Sequence, residues 1–358
     1  MTDTKNTARN TLIPTDTTIV VRVVFLYVGQ GSSILVLFRE NGKYKSLLVD
    51  SNLDRKASGI DVPKLMKDLL NGDALHAFVN THPHDDHLNG IKELSEAVTI
   101  SEVWHSDHKP GKKAGDRYAD LLAVIKGIDA SKVTVLKGSN TAVALGDGDL
   151  HVLAPAEYVS DDVNDEDAEA RYARIHENCA VLKVGKDPAW VLITGDADLD
   201  AFKSHITDYH KEHLAAQVLD ASHHGSRSFF MASEGDDPYK DHIEAISPAF
   251  VIVSAPKQSE SRHDHPHDDA IKLYEECGAQ VLHMGPKREC FICDIHDDGT
   301  IDDPVSDEGK LVESYGLSDD EGGDDGGGGG GGGGGKVEKR GPFVKPIAPA
   351  APRDGRYA

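Results

Sequence analysis

Between Thr18 and about Asp303 the chain alternates short apolar runs of strand length with stretches whose apolar residues recur every three or four positions. Ile19–Tyr27, Ser33–Phe38 and Tyr44–Val49 read as an opening β meander. Val62–Leu70, Leu88–Ala97 and Asp116–Ile125 carry helical spacing; in the first, Val62, Leu65, Met66 and Leu69 form a stripe that predicts a face packed on a core. Val133–Leu136, Leu150–Leu153, Ala180–Val184 and Val191–Thr194 return to strand, followed by the short runs Val218–Asp220 and Phe250–Ser254. Ile271, Tyr274 and Cys277 give a last helix its buried side, and Glu289–His296 reads as a final strand. Ala168–Ile175, beside the acidic block Asp161–Asp167, predicts an exposed helical insertion.

The ends are different. Residues 1–17 lack periodicity and are expected to be disordered, and the ordered domain is expected over 18–305. Residues 306–358 are acidic at Asp319–Asp325, then run through ten glycines, Gly326–Gly335, into a basic, Pro-rich end. Such a segment predicts a flexible tail, either solvated or tethering a peptide for a protein partner. Hydrophobic residues make up 39% of the 358, enough for a real core once the tails are set aside. No apolar stretch reaches the length of a membrane span, and Met1–Asp16 has no apolar signal region, so a cytoplasmic protein away from membranes is expected. Four cysteines make no disulfide framework; Cys290 and Cys293 sit three apart in a strand, on opposite faces, and are expected to be buried core residues.

Candidate chemistry concentrates in Thr81-His82-Pro83-His84-Asp85-Asp86-His87, between a strand-forming run and a helical one. The alternative is a solvated histidine-rich loop, but 19 histidines in the chain are too few to make this spacing a matter of chance. His82 and His84 can face one divalent ion, Asp86 and His87 a second, with Asp85 turned to solvent; imidazole suits zinc, and carboxylate extends the range to manganese. Further candidates follow strands downstream. Asp196 ends Ala189–Thr194-Gly195 and is placed to bridge two ions, or else to cap a helix over Leu199–His205. Ser222-His223-His224-Gly225-Ser226 follows Val218–Ala221, and Arg262-His263-Asp264-His265-Pro266-His267 follows Phe250–Ser254.

Together with Val28-Gly29-Gln30-Gly31-Ser32-Ser33, Leu47–Asp50 and Glu177-Asn178-Cys179-Ala180, these segments resemble, in order and spacing, the metallo-β-lactamase superfamily. Within it they are most similar to the soluble hydrolase domain of the DNA-uptake protein ComEC. The resemblance, from about Ile19 to Gly285, implies an α/β four-layer αββα sandwich and two divalent ions, Zn²⁺ or Mn²⁺. It implies His82 and His84 on the first ion, Asp86 and His87 on the second, and Asp196 as the bridge. His223 or His224 would complete the set, with His223 preferred because it follows its strand first. His265 would be a metal ligand or a phosphate contact; His263 and His267 match nothing and are expected in solvent.

The chain departs from the pattern in places. Asn178 stands where many superfamily members carry a metal-binding histidine, which implies a weaker first site. Tyr27 and Ser32 stand where the ComEC group usually has Asp, and Asp264 replaces a Gly. The activity implied is hydrolysis of a phosphodiester, in DNA or a nucleotide, with Asp86 and Asp196 orienting the attacking water and His265 or His224 assisting the leaving group. A net charge of −23 argues against a broad nucleic-acid face, although Lys109–Lys113 and Arg117 form one basic stretch. An ester or lactone hydrolase, or a non-catalytic metal-stabilised binding module, are the alternatives.

Overall fold

The sequence of Ile19–Phe25 explains where the structure begins to build. Six of its seven residues are apolar and buried, as they must be in a strand covered on both faces. The exception, Arg22, meets its cross-strand neighbour Asp294 through two charge-assisted hydrogen bonds of 2.6 Å. The protein is described here from a computed structural model, which covers residues 4–110 and 116–318. All of these belong to one unit, Met1–Glu321; the second, Gly322–Ala358, lies outside the described residues.

The first sheet is built from β1 (Ile19–Phe25), β2 (Ile34–Glu40), β3 (Lys43–Val49), β4 (Leu75–Asn80), β5 (Ile100–His105) and β6 (Val133–Val135). The second holds β7 (Val143–Leu145), β8 (Gly148–Ala154), β9 (Val181–Lys186), β10 (Ala189–Ile193), β11 (Val218–Asp220), β12 (Phe250–Val253) and β13 (Gln280–His283). The chain then returns to the first sheet with β14 (Phe291–His296) and β15 (Val305–Ser306), giving the orders 15-14-1-2-3-4-5-6 and 13-12-11-10-9-8-7. Each sheet opens as an antiparallel meander and continues as parallel strands, from β3 through β6 and from β10 through β13.

Period-two alternation sorts the second sheet's side chains between two cores. Ala189, Val191 and Ile193 join the core shared with the first sheet, whereas Trp190 and Leu192 join an outer core with Phe202, Ile243, Leu273 and Tyr274. Helices Val62–Leu70 and Ile91–Ala97 cover the outer face of the first sheet through Val62, Leu65, Met66, Leu69 and Leu94. The result is the four-layer αββα arrangement. Val62–Leu70 forms with the bounds its spacing predicts: Asp61 accepts from Lys64 N at 3.1 Å, Pro63 fits the first turn, and Asn71 ends it with φ 48°.

Four expectations change. The N-terminal stretch is not loose throughout: Thr4–Leu12 is a helix with Ala8 and Leu12 buried, and Arg9 Nη1 donates to Leu69 O at 2.6 Å. One buried pair four apart is too little repetition for a periodicity to show. The ordered domain does not stop at residue 305, because β15 pairs with β14 and helix Lys310–Tyr315 buries Leu311 and Tyr315. The helix expected over Leu88–Ala97 is divided into Asp85–Leu88 and Ile91–Ala97 at Gly90, whose φ is 97° and where a Cβ would lie 2.8 Å from Leu53 Cγ. Strands β5 and β13, half-buried and mixed in polarity, carried no apolar run to announce them. The glycine-rich segment and Lys112–Lys113 lie outside the described residues. Cys290 and Cys293 are free and buried, and among the described residues no helix is long and apolar enough to cross a membrane.

Candidate metal centre

The parallel strand β4 delivers His82–His87 at its C-terminal end, the edge where α/β sheets carry functional loops. What shapes the loop is Asp50, fully buried at the end of β3. Its carboxylate accepts from Asn80 Nδ2 (3.1 Å), Thr81 N (2.8 Å), Thr81 Oγ1 (2.6 Å) and His87 Nδ1 (2.7 Å). The opening hairpin supports the loop from the other side: Ser32 N donates to Asp86 O at 3.3 Å, and a Cβ on Gly31 would lie 2.4 Å from that same oxygen.

The second sheet brings its contributions from three separate loops. Asp196 follows β10 through Thr194, whose Oγ1 donates to Asp220 O at 2.8 Å, and Gly195, with φ 50°. A Cβ at Gly195 would lie 2.8 Å from Thr81 Oγ1 and 2.9 Å from Cys179 Sγ, so the two halves meet here only because this residue has no side chain. His176 lies before β9 on a turn clamped by Arg174, which donates to Glu177 (2.5 Å), Asp162 (2.8 Å) and Glu166 (2.6 Å). His224 follows β11 on two successive left-handed residues, His223 (φ 51°) and His224 (φ 57°).

Two sets of ligand atoms result. His82, His84, His176 and Asp196 form one, and Asp86, His87 and His224 the other, with the chosen atoms of each set within 4.8 Å of one another. Asp196 lies between them. Its Oδ2 is 3.5 Å from His82 Nε2 and 3.7 Å from His176 Nε2, while its Oδ1 is 3.1 Å from His87 Nε2 and 3.5 Å from His224 Nε2.

The hydrogen bonds behind the rings test whether cations fit. His87 Nδ1 donates to Asp50 and His224 Nδ1 to the Ser254 carbonyl at 3.0 Å, which turns both Nε2 atoms inward, 3.3 Å apart. Thr81 Oγ1 donates to Asp50 and so accepts from His82 Nδ1 at 3.1 Å, turning His82 Nε2 inward as well. Asp196 Oδ1 is buried and accepts no well-directed hydrogen bond, although His87 Nε2 and His224 Nε2 face it at 3.1 and 3.5 Å. Inward-facing nitrogens around such a buried carboxylate oxygen are what a divalent ion would satisfy. The charges agree. Burial, reinforced by His87, pushes His82 down to about 3 and keeps it the neutral imidazole a metal needs. At His87 burial also acts downward, but Asp196 and Asp50 outweigh it and hold the group well above the ordinary histidine range. The second pocket thus favours a positive charge, which a metal would supply in place of a proton.

Of the residues singled out from sequence, His82, His84, Asp86, His87 and Asp196 converge, and Asp85 is exposed. Asp196 is not a helix cap: that role falls to Asp198, which accepts from Ala201 N at 3.1 Å. Three placements differ from expectation. His224, not His223, joins the second set, because the paired left-handed residues turn the second ring inward. His223 stands outside both sets, its Nε2 3.6 Å from Asp196 Oδ2 and its Nδ1 3.0 Å from Ser228 Oγ. His265 is in neither set; it lines the same cavity, of about 340 Å³, with a buried Nδ1 that has no partner. The residue not foreseen is His176. Asn178 is in the expected segment, but its amide is occupied with Ser160 and His108, and the histidine two positions earlier faces the site. In the sequence His176 shows only as a histidine two positions before Asn178, within Arg174-Ile175-His176-Glu177-Asn178. His263 is exposed at the cavity rim, and His267 Nδ1 accepts from Arg227 N at 3.1 Å.

No family model matches the chain, and no curated protein matches it. Among solved structures it is similar to Zn²⁺-bound PqqB from Methylobacterium extorquens, at 12% identity over 79% of this chain and 99% of that one, with a TM-score of 0.41. It is similar to an archaeal metallo-β-lactamase superfamily protein from Sulfolobus tokodaii, at 18% identity over 48% and 62% of the two chains, with a TM-score of 0.28. A third is BJP-1, a subclass B3 metallo-β-lactamase of Bradyrhizobium japonicum, at 15% identity over 57% and 75%, with a TM-score of 0.31.

Proposed function

We propose that this protein is a two-metal hydrolase that cleaves a phosphodiester, in DNA or a nucleotide. The observation that carries the reading is Asp196, one carboxylate set between two convergent ligand sets with an oxygen toward each. His82, His84 and His176 would hold one ion and Asp86, His87 and His224 the other, with Asp196 shared. The three histidines of the first set suit zinc; Asp86 and Asp196 keep manganese open at the second. When bound, such a pair supplies Lewis-acid charge and lowers the pKa of a water. A phosphodiester has two non-bridging oxygens to present to two positive centres, and the motif resemblance to the ComEC hydrolase domain favours that substrate.

The chain's own groups do the rest. Asp86 and Asp196 would orient the attacking water. His224 has no ring nitrogen free for proton transfer, because Nδ1 is bound to the Ser254 carbonyl and Nε2 belongs to a ligand set. His265 lines the cavity and belongs to neither ligand set, which leaves it available to assist the leaving group. The test is cleavage of end-labelled single-stranded DNA with added Mn²⁺ or Zn²⁺, for wild type and Asp196→Ala, with metal content measured on both. The variant is expected to lose at least about 10³-fold in rate, as removal of a central catalytic group does, and to lose bound metal. Cleavage and metal content unchanged by the substitution would sink the reading, as would a wild type inert with both metals.

A further inference from the structure

A second cavity, of about 370 Å³, opens on the other side of Asp86 and shares Gln30, Asp85, Asp86 and His263 with the metal-side cavity. Its remaining walls include Asn52, Asn89, Arg117 and Arg262. We propose that it is a subsite for a second phosphate of the substrate, adjacent to the one cleaved, so that the enzyme prefers nucleotides carrying two phosphates. This rests on the phosphodiesterase reading above.

Three observations support an anion there. First, Arg262 is exposed and, among the described residues, no ion pair or hydrogen bond engages its guanidinium. Arg117 has only a 3.5 Å contact to Asp120. In a chain with 38 basic and 61 acidic residues, one arginine without an ion pair and a second with a single long one, on the same cavity, are a local exception. Second, Gln30 is 7% exposed and its Nε2 is buried without a partner. The orientation of that amide is fixed by its neighbour. Ser261 Oγ accepts from His263 N at 3.2 Å and His265 N at 3.1 Å, so its hydroxyl hydrogen goes to Gln30 Oε1 at 2.8 Å. Nε2 is left as a buried donor, and a donor on a cavity that also carries two arginines calls for a ligand rich in acceptors. Third, the other polar walls are already engaged. Asn52 Nδ2 donates to Val28 O and Gln30 O, and Asn89 Nδ2 to Leu53 O. Asp54 is occupied by the backbone N–H groups of Gln30, Lys56 and Ala57. Of the three carboxylates on the cavity, Asp54 keeps its charge but is held by those N–H groups, Asp86 belongs to the second ligand set, and Asp85 is exposed.

The measurement is calorimetric binding of thymidine 3′,5′-bisphosphate and thymidine 5′-phosphate to the full chain, wild type, Arg262→Gln and Arg117→Gln, at one salt concentration. A charge-assisted contact at a half-exposed site predicts that wild type binds the bisphosphate about tenfold more tightly than the monophosphate. Each substitution is expected to remove most of that ratio. Equal affinity of wild type for the two nucleotides, or a ratio that survives both substitutions, overturns the subsite. The outcomes separate from those of the hydrolase test: a protein that prefers the bisphosphate but cleaves nothing keeps the subsite and loses the hydrolase. One that cleaves DNA without the preference does the reverse.

Discussion

The two sheets contribute to the centre in different ways. The first supplies His82, His84, Asp86 and His87 from six consecutive residues after β4, in a loop tied at both ends by the one carboxylate of Asp50, through Thr81 and His87. The second supplies His176, Asp196 and His224 singly, from loops before β9, after β10 and after β11, each with its own brace: Arg174, Thr194 and the Ser254 carbonyl. A compact motif can be held by local hydrogen bonds. A dispersed one needs the sheet to bring distant segments together, so its geometry depends on packing far along the chain. The first arrangement is expected to fail as a unit, the second ligand by ligand.

Substitutions can break that contrast. The largest effect in the dispersed half is expected from His176→Ala, which should lower bound metal from two ions to about one per chain, with Asn178→Ala as the control that retains both. Metal analysis after desalting reads this directly, and two ions in the His176 variant would return the ligand role to some other residue. Asp50→Asn comes next. Replacing a partner behind metal-binding rings typically costs about 10–100-fold in metal affinity, and because Asp50 touches both Thr81 and His87, both ions should weaken together. Competition with a chelator would show it; weakening of one ion alone would mean the compact loop is not a unit. Arg174→Ala should do less, a loss of several-fold on the order of one ordinary surface ion-pair network, and only for the ion proposed to sit at His176.

The smallest effect lies away from the ions. His242 is fully buried against Phe202, Phe229 and Phe230, and burial pushes it down to about 3 despite a small opposing contribution from the Phe229 backbone. A histidine depressed in the folded state contributes stability that is complete above its unfolded pKa of about 6.5 and is lost as pH falls toward 3. Urea unfolding between neutral pH and pH 5 should therefore show a decline approaching about 1.4 kcal/mol per pH unit from this group, flattened in His242→Leu. An acid limb of equal slope in both proteins would remove His242 from the account.

The same contrast explains what could be read from the amino-acid sequence. His82–His87 is legible because metal-ligand spacing within one loop is a property of neighbouring residues, and Asp196 because it ends an unmistakable apolar strand. Val62–Leu70 was readable to the residue, since its stripe, cap and terminating Asn71 all agree. The choice between His223 and His224 was not, because it turns on two left-handed backbone residues that neither side chain announces. His176 escaped for a related reason: its approach to the site is set by a salt-bridged turn and by β9 pairing with β10, and no local pattern encodes that. Thr4–Leu12 and Lys310–Tyr315 are short helices whose few apolar residues acquire meaning only once the surface they pack on exists.

Gly195 then has a consequence for the spacing of the reacting groups. The loops of the two halves touch at its Cα, where even a methyl group would meet Thr81 Oγ1 at 2.8 Å and Cys179 Sγ at 2.9 Å. Thr81 precedes His82, and Asp196 follows Gly195, so anything that wedges this contact apart would move one carboxylate away from the imidazoles facing it while leaving every ligand chemically intact. The separation between the two proposed cation positions would be set by how closely the Gly195 backbone approaches the Thr81 and Cys179 side chains, and a Gly195→Ala protein is expected to bind ions at an altered distance even though it has lost none of the atoms that would bind them.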